Sequence, residues 1–197
     1  LRIHGGVRFG GTMTLEDCWD LGFDHVALAA GAGRPTIIDM KNNLARGIRK
    51  ASDFLMALQL TGAYKKSSLA NLHVQLPAVV IGGGLTAIDT ATELLAYYPV
   101  QLEKVAIRVH RLTEEKGADA VRAMFDAEEW GQLQVQLQHA RELEEERDLA
   151  AREGRDPRLQ PLLDRWGGVT LVYRRSVLES PAYRLNHEEV QKSLEEG

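Results

Sequence analysis

The sequence predicts an α/β fold, a Rossmann-like parallel sheet that carries a helical, hairpin-type insertion. Three observations lead there. Pro77-Ala78-Val79-Val80-Ile81 is an unbroken apolar run, the pattern of a strand covered on both faces of a parallel sheet, and it runs into Gly82-Gly83-Gly84. Ala87, Ile88, Ala91 and Leu95 then share one helical face, so strand, glycine turn and helix follow in order. A second strand pattern, Val169-Thr170-Leu171-Val172-Tyr173, comes only after residues 99–166, although helix-to-strand connections are usually a few residues long.

Residues 1–34 open with a short apolar stretch, Val7 to Phe9. Thr14 and Asp17 form a capping-box pattern ahead of a short helix, Leu15 to Leu21. Val26-Ala27-Leu28-Ala29-Ala30 reads as a buried strand stopped by the turn Gly31-Ala32-Gly33-Arg34-Pro35, although many strands end this way. From residue 35 to 76 the chain is a connection, a helix with Ala51, Phe54, Leu55 and Leu58 on one face, and a loop around Lys65-Lys66-Ser67-Ser68. Residues 99–166 are charged and helical in pattern. Leu102, Val105, Val109 and Leu112 keep seam spacing, as do Trp130, Leu133, Leu137 and Ala140, so the two stripes are expected to bury each other in a helical hairpin outside the nucleotide-binding core. This segment holds 11 Lys/Arg and 15 Asp/Glu, which is the whole net charge of −4.

The chain has 197 residues, 44% apolar and 26% charged, enough to bury a core without metals or disulfides. A net charge of −4 gives no bulk attraction to nucleic acid or anionic lipid. Cys18, the single cysteine, allows neither a disulfide nor an iron–sulfur ligand set. No apolar run is long enough for a membrane helix, and no signal peptide is visible, so the expected compartment is the cytoplasm. The chain starts at Leu1 and stops in a polar stretch at Gly197, as expected of a piece of a longer protein.

Gly82-Gly83-Gly84-Leu85-Thr86-Ala87 fits the G-x-G-x-x-G/A pattern of dinucleotide binding. Gly82 permits the tight turn, Gly84 leaves room for a pyrophosphate, and Ala87 lets the helix approach the strand. The helix N-terminus offers N–H groups to phosphate, and Thr86 can add a hydroxyl. Arg174 and Arg175 follow the second strand, where an acid would bind the ribose of NAD and arginine accommodates the extra phosphate of NADP. A solvated basic pair is the plain alternative; its position behind a glycine turn favours NADPH.

Together these residues resemble one family. Gly83-Gly84-Leu85-Thr86-Ala87-Ile88-Asp89 looks like the NADPH fingerprint of glutamate synthase small subunits and related FAD-dependent pyridine nucleotide oxidoreductases. Val172-Tyr173-Arg174-Arg175 through Pro181-Ala182-Tyr183 is similar to the family's segment after the second strand, and Phe23 to Ala32 to the segment closing its FAD-binding region. The resemblance implies an NADPH-binding domain fragment of an enzyme that passes hydride from NADPH to FAD. It also implies that residues 1–34 are a remnant of the FAD-domain junction and that 35–98 with 167–197 form the NADPH domain. Gly82, Gly83, Gly84, Thr86 and Ala87 would line the pyrophosphate, Arg174 and Arg175 the 2′-phosphate, and Gly31 the flavin junction. Leu85 stands where many members have an acid, and the insertion and the missing FAD fingerprint depart from the pattern. The implied partner is the missing FAD-binding domain.

No catalytic residue or metal ligand is assigned: His4, His25, His73, His110, His139 and His187 show no ligand or triad spacing. The alternative function is a protein-interaction module that uses 99–166 on a non-catalytic scaffold.

Overall fold

The computed structural model describes residues 2–29, 31, 35 and 37–195. It divides into two compact units, Leu1–Thr36 and Ile37–Gly197.

In the first unit, α1 (Leu15–Asp20) begins with the capping box read from the sequence. The Asp17 amide donates to the Thr14 hydroxyl at 3.2 Å, and the Thr14 amide donates to the Asp17 carboxylate at 2.7 Å. The expected strand at Val26–Ala30 is not formed over its described part. Residues 26–29 take no ladder partner, and Leu28 is 72% exposed. An apolar run needs a neighbouring strand to become one, and this unit supplies none among its described residues.

The second unit contains α2 (Ala51–Leu60), β1 (Ala78–Ile81), α3 (Leu85–Lys116), α4 (Ala118–Arg122), α5 (Ala127–Glu153), α6 (Gln160–Arg165), β2 (Val169–Val172) and α7 (Pro181–Glu195), which is kinked at Asn186. β1 and β2 pair in parallel, with Ala78 opposite Val169 and Ile81 opposite Val172. The strand–turn–helix–strand order therefore holds, but the Rossmann-like α/β class does not. Among the described residues the molecule is mostly helical, with only a two-stranded sheet. The expected two-sided cover of β1 fails with it. Val80 is buried against Ala87 and Ala91 of α3, while Val79 and Ile81 on the other face are 63% and 50% exposed.

The reason lies in where the apolar side chains collect. α3 does not stop at Tyr98 but runs through a buried Pro99 to Lys116, about 48 Å at helical rise. Pro99 removes one N–H from the ladder of α3 and crowds the Leu95 carbonyl, yet the helix continues with Tyr97, Tyr98, Gln101 and Leu102 buried around it. The main core gathers Phe54 and Leu58 of α2, Tyr97, Tyr98 and Leu102 of α3, Ala140 and Leu143 of α5, and Leu162, Leu163 and Trp166 at α6. Residues 99–166 thus share one core with residues 51–98, contributing Leu102, Ala140, Leu143, Leu162, Leu163 and Trp166 to it. α3 and α5 do pack on each other, with Leu102 of one stripe and Ala140 of the other in the same core. Leu102, Leu133 and Ala140 are buried, and Val105, Val109, Leu112, Trp130 and Leu137 are half-buried.

A polar face of α3 completes this half. Tyr97, Gln101, Lys104 and Arg108 follow helical spacing and point at the irregular chain between Ala63 and Val74. The Tyr97 hydroxyl accepts from the Leu72 amide at 2.9 Å. The Gln101 side-chain amide accepts from Val74 N at 2.7 Å and donates to Val74 O at 2.8 Å. The Lys104 ammonium donates to Ala63 O at 2.8 Å and Ala70 O at 2.6 Å, and Arg108 donates to Ser68 O at 2.9 Å. Gln101 is fully buried and Lys104 nearly so, which this set of carbonyl and amide partners makes tolerable. Burial, and then the Arg108 charge, hold the Lys104 amine below its usual pKa.

Candidate functional site

β1 and β2 end side by side. Gly82 N donates to Val172 O at 3.0 Å, which extends the ladder by one bond, and the two chains then leave the same end of the sheet. β1 leaves as Gly82-Gly83-Gly84 into α3, and β2 leaves as Tyr173-Arg174-Arg175. The structure thereby brings together two motifs separated by about ninety residues of sequence.

Each glycine in the turn meets different surroundings. A Cβ on Gly82 would lie 2.9 Å from Ala87 Cβ, so this pair sets how closely α3 approaches β1. A Cβ on Gly83 would overlap the Tyr173 ring, and Gly83 O accepts from Ala182 N at 3.0 Å. Gly83 is therefore gripped from both sides. Gly84 is the open member: nothing lies within 4 Å of where its Cβ would be. It caps α3 in an extended conformation, φ −98° and ψ 170°, and no side chain caps the helix in its place. The Ala87 amide donates to Gly84 O at 3.0 Å, while the earlier amides of Leu85 and Thr86 take no side-chain cap, and Thr86 itself is exposed.

Arg174 and Arg175 are exposed. Among the described residues neither takes part in an ion pair. Behind them Ser176 accepts from Leu178 N at 3.3 Å to start a single 3₁₀ turn, Val177–Glu179. Buried Ser180 then accepts from Tyr183 N at 3.1 Å at the start of α7. Gly31 lies in the first unit, exposed, with φ +70°; the turn residues Ala32, Gly33 and Arg34 lie outside the described residues. The set Gly82, Gly83, Gly84, Thr86, Ala87, Arg174 and Arg175 thus shares one end of the sheet, while Gly31 belongs to the other unit.

Open space lies where a Cβ on Gly84 would be, exposed Thr86 is near it in the chain, and two guanidinium groups without an ion pair among the described residues follow on the neighbouring strand exit. These residues fit a phosphorylated dinucleotide. Sequence reasoning placed Gly83 on the ligand side. It did not anticipate that Tyr173 would cover Gly83 or that Ala182 would bind its carbonyl. Tyr173 stands directly before the arginine pair, but nothing in its spacing reveals which glycine it meets.

A second polar cluster lies within the helical core. The Tyr98 hydroxyl and His139 Nδ1 are 2.9 Å apart, the His139 ring stacks on Trp166 at 4.5 Å between centroids, and Trp166 Nε1 donates to Glu142 at 2.9 Å. Burial holds His139 below its usual pKa, and the indole hydrogen bond holds Glu142 below the ordinary carboxylate range. Its members bond mainly to one another, and they knit α3, α5 and the end of α6 together. Among the described residues, no group of three or more His, Cys, Asp or Glu is gathered as a metal site requires, and no helix is long and apolar enough to cross a membrane.

No protein-family model matches the chain, and no solved structure matches it. The chain is similar to uncharacterized protein RP006 of Rickettsia prowazekii (strain Madrid E). The two are 39% identical over 198 residues, covering 100% of this chain and 25% of that protein. The chain therefore spans about a quarter of the length of the curated relative it matches.

Proposed function

We propose that this chain binds NADPH at the Gly82–Ala87 turn and the Arg174–Arg175 pair. On this reading it is the NADPH-binding part of a cytoplasmic FAD-dependent oxidoreductase similar to glutamate synthase small subunits. The observation that supports the reading most is the shared strand end. A glycine turn with open space at Gly84 sits beside a strand exit bearing two exposed arginines. In this assignment the N-terminus of α3 receives the pyrophosphate, and the guanidinium pair receives the 2′-phosphate. NADPH would reduce a flavin held by another part of the longer protein, which is the partner this reading requires. The isolated chain carries no FAD fingerprint and is expected to be colourless and inactive.

Calorimetric titration of the chain with NADPH and NADH tests the proposal. Charge-assisted bonds to phosphate are worth roughly 1.5–3 kcal/mol each, so the Arg174→Ala/Arg175→Ala double variant should lose NADPH affinity by several-fold or more while NADH binding stays near wild type. Equal losses for both nucleotides would remove the phosphate assignment. Absence of any NADPH binding to the wild-type chain would remove the function.

A further inference from the structure

We propose that Tyr173 is a positioning residue for nucleotide selectivity, clamping the arginine-bearing loop to the glycine turn. This rests on the reading that NADPH binds there. The segment 173–181 leaves β2 and returns to α7, and both its ends are fastened to the same dipeptide, Gly82-Gly83. At the outgoing end, Gly82 N donates to Val172 O at 3.0 Å and the Tyr173 ring is seated on Gly83. At the returning end, Ala182 N donates to Gly83 O at 3.0 Å. Between them the loop is braced by the Ser176 cap and by Ser180.

The consequences follow from connectivity. Arg174 and Arg175 begin one residue beyond the seated ring, so the ring fixes the backbone from which both guanidinium groups project. The sheet cannot hold them there, because β2 ends at Val172. Arginine side chains are long and lose much rotamer freedom on binding, so an anchored backbone reduces what ordering them costs. The loop and the turn are one body, in which the groups for the 2′-phosphate keep register with the groups for the pyrophosphate. Gly83 is glycine because a Cβ would evict the ring, not because the nucleotide needs the space. The hydroxyl of Tyr173 makes no hydrogen bond among the described residues, so the ring alone performs this task.

The test compares NADPH and NADH dissociation constants for the wild-type chain, Tyr173→Ala, Tyr173→Phe, Gly83→Ala and the Gly83→Ala/Tyr173→Ala pair. Circular dichroism and unfolding midpoints are followed in parallel. Tyr173→Ala should lower the NADPH:NADH preference about tenfold, chiefly through NADPH. Tyr173→Phe should keep the wild-type preference. Gly83→Ala should copy Tyr173→Ala, and the double variant should be no worse than either. A residue serving stability alone would lower the midpoint and both affinities together, and that pattern overturns the proposal. So does a Tyr173→Ala chain that keeps the wild-type preference, even though the NADPH reading itself then survives. A wild-type chain that binds neither nucleotide overturns both.

Discussion

The middle and the first turn of α3 stand in opposite environments. Its middle, from Tyr97 to Arg108, is enclosed, with apolar side chains facing α2, α5 and α6 and polar ones bonded to the loop between Ala63 and Val74. Its first turn caps nothing, is capped by no side chain and borders open space at Gly84. On the NADPH reading, stability and binding are separated along one rigid element. The enclosed stretch holds the helix in place with its own contacts, and in the first turn only Ala87 is buried, against β1. A helix start that must bind an anion cannot also be satisfied by its own protein.

The separation is broken most directly by emptying the core at Leu143, which is 1% exposed. Leu143→Ala should cost about 2–5 kcal/mol, the usual price of a large cavity. Chemical denaturation should show the second unit losing helix and nucleotide binding in a single transition. Two transitions, with binding surviving the first, would mean that α5 is dispensable to the site and that the core is not shared. For the same reason, replacing 100–165 by a flexible linker should abolish folding, because that segment carries Leu102, Leu143 and Leu162.

The next largest effect probes the polar face. Gln101→Leu keeps the volume but strips both bonds from the Val74 backbone. Val74 O retains Gln136 at 3.1 Å, while Val74 N is left alone in the interior. An orphaned buried amide costs about 1–3 kcal/mol, so the unfolding midpoint should fall while NADPH affinity, measured well below it, stays unchanged. A matching loss of affinity would show that the middle of α3 and its first turn are not independent.

A smaller and opposite pair of effects belongs to Gly84. Its extended backbone is already that of a helix cap, so serine there can accept from the first turn. Gly84→Ser should raise stability by a few tenths of a kcal/mol, the known difference between these caps. It should weaken NADPH, because the new hydroxyl occupies the open space and satisfies donors meant for phosphate. A variant both more stable and equally tight would disprove that the first turn is reserved for ligand.

Several of these features were legible in the sequence. Local signals carried their own chemistry. Thr14 with Asp17 specified a cap, Phe54 and Leu58 specified a helical face, and the glycine turn between Ile81 and Ala87 specified strand then helix. Three things were not legible. The strand expected at Val26–Ala30 depends on a neighbour that no local pattern encodes. The size of the sheet is not a local property either: among the described residues β1 pairs with β2 alone. The stripe Tyr97, Gln101, Lys104, Arg108 was visible at helical spacing, yet such a stripe reads as a solvated face because polarity normally marks the outside. Here irregular backbone, rather than water, supplies its partners.

The smallest effect tests whether the helical core is uniformly closed, and it is electrostatic. His139 contacts the Tyr98 hydroxyl and the Trp166 ring, with Glu142 and Arg165 as the charged groups nearby. Burial is the largest influence and depresses its pKa; Glu142 opposes the shift and Arg165 adds to it. A histidine with a depressed folded pKa stays neutral in the fold but takes up a proton in the unfolded chain, whose value is about 6.5. Stability is therefore full above that pH and falls as the pH drops through it toward the folded value. Thermal unfolding should show the wild-type midpoint level from pH 8 to about 7 and declining toward pH 5.5, above the range where carboxylates titrate. His139→Gln removes the group while the other five histidines remain, so the variant should start lower but decline less steeply. Parallel curves would mean that His139 is hydrated enough to titrate as it does in the unfolded chain. The core would then be open to water at the junction of α3, α5 and α6.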